Sequence, residues 1–226
     1  MAKNHQLVRY DIEDRRYVSD KIIDNIVKGL QSIADIVDIV VISDYDKGMI
    51  TPLLLEDIIK ICKGNSISIV SDIKVKNARY YNNIDYVKLN ILNASKIVNI
   101  PLEDHNSEDY YNSVCKIMDN LKKIIRCSNL IITLGDKGLV YTNDGSDIVH
   151  IGAIKRDVFD VTGAGDTFTA TLAVSLAKGY DLHTACIIST IASAIKVSKV
   201  GTYSIKFDEL KRFIERYNKG ELEWVG

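Results

Sequence analysis

The chain's 226 residues carry 29 Lys and Arg against 30 Asp and Glu, a formal net charge of −1, so no strong field of either sign speaks for nucleic acid or a membrane surface as partner. That length suits one large domain, expected over 1–226, with a sizeable core. Scattered Cys62, Cys115, Cys127 and Cys186 without a C-x-x-C pair, no apolar run of membrane-spanning length and no apolar signal-peptide core in the first ten positions point to a cytoplasmic protein with reduced cysteines.

Short β-branched runs alternate with helical stretches, which predicts an α/β fold built on a mainly parallel sheet. The first clear strand is Ile36 to Ser43. Thr51 and Pro52 then supply the N-cap and first residue of a helix, with Glu56 and Asp57 near its positive end and Gly64 closing it. Strands follow at Ile67 to Asp72 and Tyr86 to Leu89, then a helix over Ser107 to Arg126, where Val114, Ile117, Met118 and Leu121 recur at helical spacing. After the strand Leu130 to Leu134, turns at 135–138 and at Asp144-Gly145 set up an antiparallel meander through Leu139 to Thr142 and Ile148 to Ile151. Three helices are expected next, over Gly163 to Lys178, Leu182 to Val197 and Phe207 to Tyr217, with Gly179 and Gly201 as punctuation.

The most informative stretch is Asp160-Val161-Thr162-Gly163-Ala164-Gly165-Asp166-Thr167, ahead of a helix rich in small residues. Gly163 and Gly165 let the backbone turn so that successive N–H groups of residues such as Ala164 converge where the helix dipole is positive, which suits an anion. Asp166 in the same place repels phosphate but can take the proton of a hydroxyl that attacks one. The plainer reading is a capped helix, with Asp160 or Thr162 as N-cap.

Other charges gather where strands end. Asp44 and Lys47 follow one strand, and Asp72 and Lys74 end the next; ligands of open α/β sheets collect at that edge. An Asx-turn with a solvated lysine explains the first pair as well. Lys74, Lys76 and Arg79 together can meet a phosphorylated small molecule.

The string Asp160 to Asp166 is similar to the signature of the ribokinase-like (PfkB) sugar kinases. Asn4-His5-Gln6-Leu7-Val8-Arg9-Tyr10-Asp11, Ser43-Asp44-Tyr45-Asp46-Lys47-Gly48 and Lys199-Val200-Gly201-Thr202 resemble stretches of one subgroup, the heptose 7-phosphate kinase domains of bifunctional ADP-heptose synthesis enzymes. The resemblance implies a ribokinase-like three-layer sandwich, ATP and magnesium as cofactors, Asp166 as catalytic base and the amides of the Gly163-Ala164-Gly165 turn as anion hole. The implied reaction phosphorylates D-glycero-D-manno-heptose 7-phosphate at its anomeric hydroxyl, giving the 1,7-bisphosphate. Asp44, Lys47, Asp72 and Lys74 would then bind the substrate, with Asp44 accepting from sugar hydroxyls and Lys47 facing a phosphate as a point charge.

Asn90, Thr133, Gly135, Gly138 and Gly201 resemble positions that hold the nucleotide, and Ala192, Ala194 and Val197 can form a slot for adenine or simply belong to the core. Asp160 and Thr162 resemble oxygen donors to a monovalent cation, which would be K+. Two departures matter: Asn93 stands where the family's N-x-x-E element has glutamate, and Ile73 replaces a proline between Asp72 and Lys74. The family's opening segment, with its sugar-gripping Gly-Gly motif, has no counterpart here, nor does the adenylyltransferase half. An N-terminally truncated fold with an exposed sheet edge is therefore expected, covered in a homodimer or by a separate N-terminal segment. A catalytically silent nucleotide-binding relic and a kinase for another sugar or nucleoside are the competing readings.

Overall fold

The computed structural model describes residues 10, 12–143 and 147–225. A helix α1 (Asp20–Ile33), not anticipated from periodicity, leads into β1 (Ile39–Ser43). There follow α2 (Pro52–Gly64), β2 (Ser68–Asp72), a 3-10 turn over 75–80, β3 (Ile84–Asn90), a short α3 (Ile91–Val98), α4 (Tyr110–Ile124) and β4 (Cys127–Thr133). The meander is β5 (Leu139–Asn143) and β6 (Val149–Ile151), and β7 (Ala153–Ile154) precedes α5 (Ala164–Ala177), α6 (Leu182–Val197), α7 (Phe207–Asn218) and β8 (Trp224–Val225). The predicted Asp144-Gly145 turn and, Tyr10 apart, the stretch from Asn4 to Asp11 lie outside the described residues.

β1 to β6 form one sheet in sequence order, parallel from β1 to β4 and antiparallel from β4 to β6. Strand alternation divides its side chains between two layers. Ile69, Val87, Leu89, Leu130 and Ile132 join the apolar cluster beneath α1 to α4, whereas Val70, Ile131, Leu139 and Tyr141 join a second cluster with Phe168 and Leu172 of α5 and Leu182 of α6. The result is the expected three-layer sandwich. Each fully buried Leu or Ile contributes about 1.5–3 kcal/mol, and Leu54, Ile69, Leu89, Ile117 and Leu121 are all among the least exposed side chains.

Local signals explain the helix starts. Thr51 Oγ1 accepts from Leu54 N at 3.0 Å with Pro52 in the first turn, and Asp181 accepts from Thr184 N at 3.0 Å to cap α6. α2 ends at Gly64, as expected. Gly138 has φ +81° and passes so close to the Ile151 carbonyl and the Gly152 backbone that a Cβ would overlap them, which pins the β4–β5 turn against β6 and β7. At the other edge, β1 pairs only with β2 among the described residues, and Val41 is 45% exposed.

Candidate functional site

The parallel strands end together, and their carboxyl ends bring the predicted charges into one row. Ser43 is in register with Asp72, Asp72 with Lys88, and Asn90 with Thr133. Above this row starts α5. Its N-cap is Gly163, in the left-handed region at φ +77°, with no side-chain cap; neither Asp160 nor Thr162 occupies the cap position.

The first amides of α5 differ in availability. Ala164 N donates to Val161 O at 3.1 Å and Thr167 N to Gly163 O at 2.9 Å. The expected anion hole is therefore smaller than three amides, because Ala164 N is used within the loop. Gly165 N and Asp166 N have no carbonyl partner among the described residues, as the second and third positions of a helix should not.

Beneath them lies a charge that the motif alone does not reveal. Lys88, 4% exposed, donates from Nζ to Asp72 Oδ2 at 2.8 Å. A Cβ on Gly165 would come within 3.1 Å of that Nζ. The glycine thus permits close approach of the helix start to a buried ammonium. A lysine between Val87 and Leu89 in the strand Ile84–Asn90 was the available sequence signal, since a charge flanked by core residues is rare unless paired.

Asp166 is exposed, and its Oδ1 accepts from Tyr45 Oη at 2.9 Å across 121 residues of sequence. A Ser43 hydrogen bond lowers the Tyr45 phenol, but the Asp166 bond, burial and the Asp166 and Asp72 charges outweigh it and hold it above its ordinary value. Asp44, expected to meet sugar hydroxyls, is 3% exposed and is taken up by the chain itself. It accepts from Asp46 N at 2.8 Å, Asn77 Nδ2 at 3.0 Å and Tyr81 Oη at 3.1 Å. Burial, then the Asp44 charge, pushes the Tyr81 phenol well up. Lys47 is half exposed and ion-paired with Glu13; Lys74 is half-buried at the start of the 3-10 turn.

On the other side of the α5 start opens a cleft of about 530 Å³. Thr133, Gly135 and Gly138 line one wall, Ala164 and Gly165 the floor, and Ala194 and Val197 of α6 the opposite wall. Small side chains leave room there for a flat group. Ala192 is fully buried and Gly201 turns away from the cleft, its amide donating to Asp160 Oδ2 at 3.0 Å. Asn90 caps α3, its Oδ1 accepting from Asn93 N at 2.8 Å.

No group of three or more His, Cys, Asp or Glu able to hold a metal occurs among the described residues. Around Asp160 a free monovalent cation does not fit. Its carbonyl accepts from Lys196 Nζ at 3.3 Å, and its carboxylate accepts from Thr162 N at 2.8 Å and Gly201 N. Two unit positive charges about 4 Å apart repel by roughly 4 kcal/mol at an effective dielectric of about 20. The Thr162 bonds, then Gly201 N and the Lys196 charge, hold the Asp160 carboxyl below the usual range.

The profile of the pfkB family carbohydrate kinases matches residues 18–208. Among curated proteins, the chain is 32% identical over 211 residues to the bifunctional protein HldE of Desulfatibacillum aliphaticivorans, across 93% of this chain and 42% of that protein. It is 35% identical over 218 residues to HldE of Campylobacter jejuni subsp. jejuni serotype O:6, across 94% of this chain and 44% of that protein. The chain thus spans less than half the length of these relatives. Its fold is similar to that of Escherichia coli phosphofructokinase-2 in complex with potassium, with TM-score 0.73, 18% identity and coverage of 89% of this chain and 64% of that one. Arabidopsis thaliana ribokinase complexed with ribose and ATP superimposes with TM-score 0.63 and 20% identity, over 88% and 60% of the two chains. The ribokinase-like fold expected from the sequence is thereby established.

Proposed function

The chain belongs to the pfkB family of carbohydrate kinases, and from that premise we propose that it moves the γ-phosphoryl group of ATP to the anomeric hydroxyl of a heptose 7-phosphate. The observation that carries the reading is the α5 start: two open amides, Gly165 N and Asp166 N, over the Lys88 ammonium, with the Asp166 carboxylate in the same turn. In this reading ATP lies in the cleft between the β4–β5 turn and α6, with its phosphates toward Gly165. The acceptor lies on the Tyr45 side, near Lys47 and Lys74.

Asp166 takes the proton of the attacking hydroxyl. The sugar oxygen forms a bond to the γ-phosphorus as the bond to the β–γ bridging oxygen breaks, and ADP leaves. Negative charge on the moving group is met by the two amides and by Lys88, groups already in place before the reaction. Tyr45 Oη holds the Asp166 carboxylate toward the acceptor side. Magnesium is proposed to arrive on the phosphates of ATP and to neutralise their charge. The heptose preference rests on the likeness of Ser43 to Gly48, and the exposed edge at β1 supports pairing with a second copy or a separate segment.

The test is ADP release with D-glycero-D-manno-heptose 7-phosphate set beside fructose 6-phosphate and ribose. Turnover confined to the heptose is expected; turnover with another sugar alone would overturn the substrate assignment. Asp166→Asn should stop turnover while ATP binding persists, and turnover retained in that variant would remove Asp166 from the base role. A silent nucleotide binder is the second reading, favoured by Asn93 and by the use of Asn90 Oδ1 as a helix cap. ATP binding without transfer to any of the three sugars would select it.

A further inference from the structure

Lys196 sits in the last turn of α6 and is 1% exposed, the most deeply buried charged side chain among the described residues. A lysine near a helix C-terminus ordinarily reaches solvent while it complements the dipole. This one turns inward, and its Nζ donates to the main-chain carbonyl of Asp160 at 3.3 Å. Its Cε passes within 3.7 Å of where a Cβ on Gly163 would stand. The ammonium therefore lies under the loop that delivers α5.

Every polar group of Asp160 is tied to the C-terminal end of α6 or to the loop itself. Its amide donates to Val197 O at 3.2 Å, beside the Phe159 amide at 2.8 Å on the same carbonyl. Its carboxylate accepts from Thr162 N and from Gly201 N, and its carbonyl faces Lys196. The buried positive charge is balanced by the Asp160 carboxylate and by the negative end of α6. Three residues further on is Gly163, whose left-handed geometry starts α5.

We infer that Lys196 is a positioning residue whose ammonium does in this chain what a dissolved monovalent cation would do beside the Asp160 carbonyl: it fixes the 160–163 loop, and hence the open Gly165 and Asp166 amides, without K+ being bound. The inference rests on the reading of the α5 start as a phosphate site. A covalently tethered ammonium is present in every molecule, so the site is organised whatever the salt.

The experiment compares the wild-type chain and Lys196→Met in 100 mM-scale KCl and in choline chloride at equal ionic strength, a range in which nonspecific screening is matched. Three quantities are read: affinity for a non-hydrolysable ATP analogue by calorimetry, Tm, and turnover with whichever sugar is accepted. The wild type should show equal affinity and Tm in both salts. K196M should lose affinity or turnover in choline by on the order of tenfold, as expected when a binding loop shifts by a fraction of an ångström, and should recover most of it in KCl.

A K+-specific gain in the wild type would overturn the inference. So would K196M matching the wild type in choline, or a loss in folded K196M that KCl does not restore. The wild-type arms decide the matter even if K196M does not fold. Because analogue binding and Tm need no acceptor, failure of the proposed sugar reaction is seen separately from failure of the cation-substitution role.

Discussion

On one side of the sheet, Ile69, Val87, Leu89, Leu130 and Ile132 meet α1 to α4 in an apolar layer. One residue out of phase in the same strands, Asp72 and Lys88 face the start of α5 as a buried ion pair. The strands are shared, so backbone propensity cannot explain the difference. Burying two charges costs several kcal/mol each before their attraction is counted, and apolar residues of similar volume often do as well or better for stability. Apart from Asp44 at its edge, which Asn77 and Tyr81 satisfy, the α1–α4 face is what a sequence selected for packing alone would have. The α5 face keeps charge where charge is expensive, and it does so under the two open amides.

The sharpest way to break this contrast is Asp166→Asn on the polar face. It should lower turnover by about 10²–10⁴, the usual contribution of a general base, while Tm stays nearly unchanged because Asp166 is exposed. Lys88→Met should cost about 3–5 kcal/mol in denaturant unfolding, since it leaves the Asp72 carboxylate buried and unpaired. Adding Asp72→Leu should recover much of that stability but no turnover. Recovery of both would place the pair in structure alone.

On the apolar face, Ile117→Ala should cost about 2–5 kcal/mol with KM and kcat unchanged in the fraction that remains folded. A large shift in KM would show that the two faces are not separable. Smaller still is Thr51→Ala, which removes the α2 cap and should cost about 1 kcal/mol. The pH dependence probes the apolar layer through two of its thiols. Burial pushes the Cys62 thiol up to about 11 and the Cys127 thiol up to about 12. Their folded values lie above the unfolded one near 9, so this stability is complete below pH 9 and falls as pH rises toward 11 and 12. Unfolding midpoints between pH 8 and 11 should decline accordingly, and Cys62→Ala should flatten part of the slope.

Local chemistry carried far in the sequence. Thr51-Pro52, the alternating β-branched runs and the glycine pair before α5 each state a backbone preference set by neighbours a few residues away, so the succession of strands and helices along the chain and the glycine turn that starts α5 could be read directly. α1 was not anticipated, and α3 is a short helix set by its Asn90 cap. Asp44 was legible as a strand-end carboxylate but not as the acceptor of Asn77 and Tyr81, which lie more than thirty positions away. The Tyr45 bond to Asp166, the Lys88 ammonium under Gly165 and the Lys196 ammonium under Asp160 are of the same kind. What the chain determined by itself was the set of local turns, caps and periodicities that make a parallel sheet and a glycine-started helix. Which charges meet beneath that helix was decided only by tertiary packing, because charge acts through space over a few ångströms and the partners are far apart along the chain.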